Sequence, residues 1–212
     1  MLVRSWQVER WLVGSKQVLL AGVDEVGRGC LAGPVVAAAV IFSPDVPIAE
    51  LQSITDSKKL TAKKREVLLE KIQEIALDIS VGAASVQEID HLNIRQASLL
   101  AMQRAVQELK WTPDWVLVDG NDSLQNRVNS LTLSVIKGDI RCLSIGAASI
   151  VAKEWRDRYM KNLSKEYPFY DWENNVGYGT SQHLDSMNIY GISPHHRQSF
   201  SPVQTIMRNR EG

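Results

Sequence analysis

The sequence predicts an α/β fold in which helices flank a mixed five-stranded sheet, with a small helical region at the C-terminal end. Two observations lead to this prediction. Five short runs of apolar and β-branched residues alternate with longer segments that carry apolar residues at helical spacing. Three of the five runs lead into acidic residues, and sites in open α/β sheets form beyond the carboxyl ends of strands.

The five predicted strands are short and are bounded by turn residues. The first two, 18–23 and 35–42, are separated by a glycine-rich segment that ends in Pro34, so the pair predicts a hairpin. The other three are predicted at 77–84, 115–118 and 131–136.

The helical segments are marked by their start and stop residues. Thr61 is placed to cap the first, Pro113 stops the second before the fourth strand, and Gly191 closes the last. The four predicted helices span 61–76, 88–110, 144–165 and 180–190. The stretch 168–179 is the least regular and is predicted to be a mobile loop.

Composition indicates a globular chain of 212 residues with one domain, or one domain and a small appendage. No segment approaches the roughly 18 apolar residues that span a bilayer. The first residues lack the apolar core of a secretion signal, so we expect neither membrane insertion nor secretion. Cys30 and Cys142 lack metal-site spacing and offer no disulfide framework, which predicts a reduced, cytoplasmic protein.

Charge gives a mixed indication. Lys+Arg and Asp+Glu both total 24, and a net charge of zero argues mildly against nucleic-acid binding, which needs basic groups for phosphate contacts. Three parts of the chain are nevertheless locally basic: 56–71, 137–165 and the C-terminal tail. Each is either a solvated helix face or a phosphate contact, and composition leaves both open.

Four carboxylates follow predicted strands. Asp24 and Glu25 follow the first strand, Asp119 follows the fourth, and Asp139 comes shortly after the fifth. A single aspartate at a strand end is commonly a turn or cap residue. Four carboxylates brought together by one sheet would repel one another, and such a set is best explained by a bound cation. Because the donors are all oxygens, the set favours Mg²⁺ or Mn²⁺ over zinc.

Nine sequence blocks carry a family resemblance. In chain order they are 22–29 (GVDEVGRG), 56–60 (DSKKL), 88–94 (EIDHLNI), 118–121 (VDGN), 137–139 (KGD), 147–153 (AASIVAK), 156–157 (RD), 177–180 (GYGT) and 196–200 (HRQSF). In this order they resemble the blocks of bacterial ribonuclease HII, from about residue 18 to 203. Many relatives have proline or alanine where Gly179 stands.

The resemblance implies a ribonuclease H-like fold and an endonuclease that depends on Mg²⁺ or Mn²⁺. It implies hydrolysis of the RNA strand of RNA–DNA hybrids and incision 5′ to ribonucleotides embedded in duplex DNA, in the context of ribonucleotide excision repair. On this basis the expected catalytic residues and metal ligands are Asp24, Glu25, Asp119 and Asp139.

A glycine loop is the first candidate for substrate contact. Gly27 and Gly29 leave backbone N–H groups free to approach a phosphate or a 2′-hydroxyl, and Arg28 could hold a phosphate. From the residues alone, a tight turn with an exposed arginine fits equally well. The resemblance assigns the loop to recognition of the 2′-hydroxyl, the group that distinguishes RNA from DNA.

Further substrate contacts come from the resemblance. It implies that the Tyr178 ring stacks on the deoxyribose beside the ribonucleotide, although taken alone such a tyrosine is more often core or surface filler. Ser57 and Lys58 are candidate phosphate contacts, or an ordinary approach to a helix. The histidines lack metal-ligand spacing and are interpreted as structural or surface groups, namely His183, His195 and His196.

The predicted organisation has three segments: an N-terminal extension (1–17), a catalytic domain (18–167) and a C-terminal helical region that completes the substrate site (168–212). We expect a monomer that binds RNA–DNA hybrids and ribonucleotide-containing DNA. The alternatives are a ribonuclease HIII-like enzyme, whose relatives carry an N-terminal domain too large for about 17 residues, an inactive nucleic-acid-binding module, and a Rossmann-like regulator, which would need a strand-to-helix glycine motif.

Overall fold

A computed structural model describes Glu9, Leu12 and residues 18–46 and 61–211. Five strands form one sheet in the order β3-β2-β1-β4-β5. Their bounds are Leu20–Val26 (β1), Val35–Phe42 (β2), Ala76–Ala84 (β3), Trp115–Asp119 (β4) and Leu131–Val135 (β5). Strand β1 runs antiparallel to β2 and parallel to β4, and β4 runs parallel to β5. The predicted mixed five-stranded sheet is therefore confirmed.

The described part of the chain also contains seven α-helices. They are Ala62–Ile75 (α1), Val86–Leu92 (α2), Ile94–Gln107 (α3), Leu143–Glu166 (α4), Trp172–Asn175 (α5), Ser181–Tyr190 (α6) and Ser201–Glu211 (α7). Thr61 caps α1 and Thr180 caps α6 through hydrogen bonds from backbone N–H groups to their hydroxyls. Two short 3₁₀ turns lie at Gly138–Ile140 and Pro168–Tyr170. Within the described residues, none of the helices combines the length and the apolar character that crossing a membrane requires.

The prediction of one helix over 88–110 is wrong. The structure has two helices, α2 and α3, separated by Asn93 with a left-handed φ of 72°. The Asn93 side chain accepts hydrogen bonds from the backbone N–H groups of Arg95 and Gln96, so it caps α3 at the break. The apolar spacing continues across this break, which is why periodicity alone merged the two helices.

The first strand is longer than predicted. Because the antiparallel ladder with β2 continues to the pair Val26 and Val36, Asp24 and Glu25 lie within the last residues of β1 rather than after it. The parallel ladder with β4 ends earlier, at Val23 and Val118. Asp24 is therefore paired on one side of β1 only, and it lies where β1 leaves β4.

The chain folds into two compact units. Unit 1 comprises 1–26, 36–83 and 99–154, and unit 2 comprises 27–35, 84–98 and 155–212. In unit 1, small residues of β2 pack against α1 and the first half of α4, and the buried set includes Ala38, Val40, Ile72, Ala147 and Ile150. In unit 2, the core centres on the fully buried Trp172 with Met160, Tyr170, Met187 and Val203. The predicted three-segment division of the chain stays a prediction.

A close approach between a strand and a helix fixes the start of α4 in unit 1. A Cβ atom added at Gly22 would lie 2.1 Å from the backbone carbon of Ser144 and 2.2 Å from the backbone nitrogen of Ile145. Only glycine lets β1 lie this close to the first turn of α4. The contact is two residues from Asp24.

Candidate active site

The carboxyl ends of the three neighbouring parallel strands β1, β4 and β5 carry acidic residues, and we call this end of the sheet in unit 1 the acidic edge. In the ladder between β1 and β4, Val23 pairs with Val118, so Asp24 and Asp119 each follow a paired position. Adjacent strands lie about 4.8 Å apart, which places these two backbones side by side. Asp139 follows β5, in the 3₁₀ turn Gly138–Ile140. The strand ladders thus bring Asp24, Asp119 and the segment that carries Asp139 to one edge of the sheet.

Two of these carboxylates are nearly inaccessible to water. Asp24 is 3% exposed and Asp139 is 8% exposed, whereas Glu25 and Asp119 are half-buried. Backbone N–H groups orient two of them: Asp24 Oδ1 accepts from Glu25 N at 2.8 Å, and Asp119 Oδ1 accepts from Gly138 N at 2.6 Å. Burying carboxylates is unfavourable unless they are hydrogen-bonded or neutralised, so the edge is suited to a positive partner.

Gly138 is required where the 3₁₀ turn meets the edge. A Cβ atom there would lie 2.5 Å from Ile145 Cδ1 and 3.2 Å from Asp119 Oδ1. The preceding residue, Lys137, adopts a left-handed φ of 54°. The Lys-Gly-Asp block therefore makes a tight turn that delivers Asp139 to the edge.

Sequence reasoning missed a buried acid. Glu9 is 4% exposed, and its carboxylate accepts hydrogen bonds from Leu143 N, Ser144 N and Ser144 Oγ at 3.1, 2.9 and 2.5 Å. The two backbone groups are the first donors of α4, which has no intrahelical acceptor for them. Burial raises the pKa of Glu9, and the three hydrogen bonds act against that rise. The one sequence signal was that Cys142, the residue before α4, is a poor helix cap.

The Cys142 thiol lies close enough to Glu9 and Asp119 for their charges to affect its pKa. It is 1% exposed, and burial together with the charges of Glu9 and Asp119 raises its pKa to about 12, with Arg141 acting in the opposite direction. Cys142 is therefore a protonated, buried thiol at neutral pH. Cys30 is also a free and buried thiol.

Replacing Glu9 by alanine is expected to lower the free energy of unfolding by about 1–3 kcal/mol, because three donors at the start of α4 lose their acceptor. Glu9→Gln keeps one side-chain oxygen in place and is expected to have a smaller effect. Urea unfolding at neutral pH measures both. Equal stability of the wild-type and Glu9→Ala proteins would contradict the capping role.

The glycine loop belongs to unit 2, where two buried arginines hold it. Arg156 donates to the carbonyl oxygens of Pro34, Val176 and Ala32 at 3.0, 2.8 and 2.9 Å. Arg197 donates to the carbonyls of Gly33 and Arg28 at 2.9 and 3.0 Å. Both arginines are 0% exposed. Arg197 thus binds the loop backbone at Arg28, and both guanidinium groups bind the segment that follows the loop.

The two arginines also create a positive field in unit 2. Burial, and then the neighbouring charge of Arg156, lowers the pKa of Arg197 to about 10. Gly27, with a φ of 92°, passes so close to Arg156 that a Cβ atom would lie 2.2 Å from its Nε. The sequence placed Arg156 in a motif with Asp157, and Arg197 in the block 196–200 and the basic tail. It did not show what either binds, because the carbonyls are distant in the sequence or lie within irregular segments.

Tyr178 lies beside the glycine loop. A Cβ atom at Gly29 would lie 3.9 Å from Tyr178 Cε1, and the Tyr178 hydroxyl is hydrogen-bonded to Cys30. Burial is the largest cause of the raised pKa of Tyr178, although its side chain remains 45% exposed. The backbone N–H groups of Leu31 and Ala32 donate to Gly177 O at 2.7 and 3.3 Å. Unit 2 therefore places the exposed Arg28 and Gly29 beside a half-exposed tyrosine ring.

The other two predicted substrate residues, Ser57 and Lys58, lie outside the described residues.

Comparison with known proteins identifies the family. The sequence profile of ribonuclease HII matches residues 21–203 of the chain. The chain belongs to the ribonuclease HII family.

Relatives and solved structures agree with this assignment. A ribonuclease HII of Trichodesmium erythraeum is 55% identical over 193 residues, which is 90% of this chain and 90% of the relative. One of Ruegeria pomeroyi is 49% identical over 202 residues, covering 95% and 84%. The ribonuclease H2 structure from Pyrococcus horikoshii has a TM-score of 0.78 at 26% identity, covering 92% of this chain and 100% of that one.

A more distant structure, Bst-RNase HIII, has a TM-score of 0.70 at 16% identity, covering 91% of this chain and 70% of that one, and it shows the fold alone. The ribonuclease H-like fold is confirmed. As a member of the ribonuclease HII family, the chain is a metal-dependent endoribonuclease.

The chemistry of the acidic edge fits a hard divalent cation. Every candidate donor there is a carboxylate oxygen, and two of the carboxylates are almost fully buried. Among the residues that the structure describes, no group of three or more His, Cys, Asp or Glu side chains is arranged so that it could hold a metal ion. The assignment of Asp24, Glu25, Asp119 and Asp139 as metal ligands therefore stays a prediction of the family resemblance.

Two histidines form a buried pair in unit 2. His183 and His196 are both 0% exposed, and their Nε2 atoms are 3.1 Å apart. Burial lowers the pKa of both rings, for His196 to about 3, and the facing His183 and His195 add to the effect on His196. Asp171 acts in the opposite direction on His183. Both rings are therefore neutral at physiological pH, so they are structural groups, one of the two roles considered from the sequence.

The histidine pair predicts acid sensitivity. An unfolded histidine binds a proton below its ordinary pKa of 6.5, whereas folded His196 binds one only near pH 3. The unfolded state therefore binds more protons in this interval, so the stability that His196 contributes is complete above pH 6.5 and is lost as pH falls towards 3. Thermal midpoints of wild type and His196→Gln between pH 7.5 and 5 measure this. The wild-type midpoint should fall more steeply, and parallel curves would refute the prediction.

Proposed function

We propose that the chain is an endonuclease that hydrolyses the RNA strand of RNA–DNA hybrids and incises 5′ to ribonucleotides embedded in duplex DNA. The observation that carries this proposal is the placement of Asp24, Asp119 and the Asp139 turn at one edge of three adjacent strands. Membership of the ribonuclease HII family supports the same reaction class. We expect the protein to act as a monomer in the cytoplasm, in the repair of ribonucleotides in DNA.

We further propose that Asp24, Glu25, Asp119 and Asp139 hold Mg²⁺ or Mn²⁺. Support comes from the all-oxygen donor set, and from a structural relative, Bst-RNase HIII, whose structure contains Mn²⁺. Divalent cations bound at such a site supply an activated water and stabilise charge on the leaving oxygen. The nucleophile is then water, so the protein forms no covalent intermediate, and the products carry a 3′-hydroxyl and a 5′-phosphate.

Backbone hydrogen bonds orient two of the side chains at the acidic edge. Asp24 lies innermost, where Glu25 N fixes the rotation of its carboxylate. Asp119 is fixed by Gly138 N, which couples its position to the turn that carries Asp139. Carboxylates held in this way would need little rearrangement to receive the proposed cations.

We assign substrate recognition to the glycine loop and Tyr178. The exposed Arg28 is suited to a phosphate contact, and the backbone N–H groups near Gly27 and Gly29 are suited to the 2′-hydroxyl. The Tyr178 ring, 45% exposed, has free surface for stacking on the next sugar, where a 2′-hydroxyl would be excluded. Ser57 and Lys58 remain proposed phosphate contacts.

The decisive experiment incubates the protein with a duplex that contains one ribonucleotide, first with Mg²⁺ and then with EDTA. We expect incision 5′ to the ribonucleotide, a product with a 5′-phosphate, and no cleavage in EDTA. A uniform RNA–DNA hybrid is assayed in parallel, because an enzyme of the ribonuclease HIII type would cut the hybrid and leave the single ribonucleotide. No metal-dependent cleavage of either duplex would overturn the proposal.

A further inference from the structure

The buried histidine pair is connected by hydrogen bonds to the backbone of Tyr178. His183 Nδ1 lies 2.8 Å from Tyr178 O, and its Nε2 lies 3.0 Å from Trp172 Nε1 and 3.1 Å from His196 Nε2. On the far side, His196 Nδ1 lies 2.8 Å from Ser193 N. All these groups belong to unit 2, and neither ring takes part in the chemistry proposed above.

The partners determine where each proton lies. A backbone N–H only donates, so His196 Nδ1 accepts from Ser193 N, and the neutral ring carries its proton on Nε2. Tryptophan also only donates, so His183 Nε2 accepts from Trp172, and it accepts from His196 as well. The single proton of neutral His183 is therefore on Nδ1, and it donates to the carbonyl of Tyr178. Two independent donors select the same tautomer.

The carbonyl that receives this hydrogen bond lies next to the exposed ring. Tyr178 N donates to Asn175 O at 2.9 Å, and Tyr178 O accepts from Thr180 N at 2.9 Å in addition to His183. The His183 bond connects the Tyr178 carbonyl to the aromatic core of unit 2, where Tyr170 and Trp172 pack against the histidine rings. A side chain with one end exposed can hold a fixed direction only if its backbone is fixed.

We propose that His183 is a positioning residue for Tyr178, and that His196 and Trp172 act by holding His183 in the tautomer that donates to the Tyr178 carbonyl. This inference rests on the proposed function, since it concerns the residue assigned to recognition of the RNA-to-DNA junction. Losing the hydrogen bond lets the tyrosine ring change direction, which weakens selection of a single ribonucleotide more than it weakens cleavage of a uniform hybrid.

Two substitutions at position 183 separate this role from simple packing. In His183→Asn the amide nitrogen replaces Nδ1 and still donates to Tyr178 O, whereas Trp172 loses its acceptor. In His183→Gln the amide oxygen replaces Nε2 and accepts from Trp172, whereas Tyr178 O loses its donor. Both variants lose the imidazole ring, so a purely structural role would affect them alike.

The measurement is kcat/KM on a duplex with one ribonucleotide, divided by kcat/KM on a uniform hybrid, at a temperature where circular dichroism shows each variant folded. We expect His183→Asn to keep this ratio within about threefold of wild type and His183→Gln to lower it about tenfold, as for the loss of one buried hydrogen bond. Equal ratios in the two variants would overturn the inference.

If His183→Gln does not fold, His183→Leu replaces it in the test. Leucine fills the buried position and has no donor for the Tyr178 carbonyl. A ratio lowered several-fold supports the inference, and an unchanged ratio overturns it.

Tyr178→Ala, assayed on the same two duplexes, distinguishes a failure of the role proposed for Tyr178 from a failure of the role proposed for His183. A wild-type protein that cuts neither duplex, or a Tyr178→Ala protein with the wild-type ratio, overturns the proposed role of the tyrosine and with it this inference. A lowered ratio in Tyr178→Ala together with a wild-type ratio in His183→Gln overturns the inference alone.

Discussion

Asp24→Asn is expected to lower kcat/KM by about three orders of magnitude or more, while the protein remains folded. Asparagine has the same shape and can still accept from Glu25 N, so the local backbone keeps its hydrogen bond. What is lost is one negative charge at the innermost position of the acidic edge, and with it the affinity for a divalent cation. Because Asp24 is 3% exposed, removing its charge should leave the thermal midpoint unchanged or raise it.

The matched control is Asp45→Asn. Asp45 is exposed in the turn after β2, and β2 runs antiparallel to β1, so this residue lies at the opposite end of the sheet from Asp24. Kinetics with Mg²⁺ and calorimetric titration with Mn²⁺ should show losses for Asp24→Asn and wild-type values for the control. A folded Asp24→Asn protein with wild-type activity would remove the acidic edge from the mechanism.

Arg156→Met is expected to lower the free energy of unfolding by about 3 kcal/mol or more. The three guanidinium nitrogens each donate to a backbone carbonyl, those of Pro34, Val176 and Ala32, in the interior of unit 2. Methionine fills a similar volume, but leaves three buried acceptors without this donor, and each unsatisfied group costs about 1–3 kcal/mol.

Arg156→Lys serves as the control for charge. Lysine keeps the positive charge but cannot present three donors in a plane, so we expect a loss of stability between those of wild type and Arg156→Met. Urea unfolding gives the free energies, and binding of a ribonucleotide-containing duplex in EDTA should weaken in the same order. A loss below about 1 kcal/mol in Arg156→Met would show that the hydrogen bonds of this arginine do not stabilise the fold.

The sheet could be predicted because its strands are locally encoded. The β-branched run of β2 and the short apolar runs of β4 and β5 each carry their own signal, and the observed bounds agree within a few residues. The helix break at Asn93 could not be predicted. The apolar spacing that defines α2 continues into α3, and only the backbone geometry of one residue interrupts the helix. The spacing of apolar residues does not reveal that a single residue adopts a left-handed backbone conformation.

The acidic edge could be predicted for the same local reason, since its carboxylates lie in strands or shortly after them. The sequence could not predict the roles of Glu9, Arg156 and Arg197, because their partners are distant in the sequence. Glu9 binds Ser144 across 135 positions, and Arg156 binds Ala32 across 124. Arg156 and Arg197 lie in family blocks, but no neighbour in the sequence indicates which groups they bind. Their importance appears only when folding brings an unsatisfied backbone group to them.

The cap that Glu9 provides bears on how this enzyme can be shortened. A truncation that begins at the first strand looks harmless from the sequence, because it removes only a segment of mixed polarity that precedes all nine family blocks. It would also remove the acceptor for the leading amides of the longest described helix, at the turn that packs against Gly22. We therefore expect a protein that begins at the first strand to be less stable than the full chain.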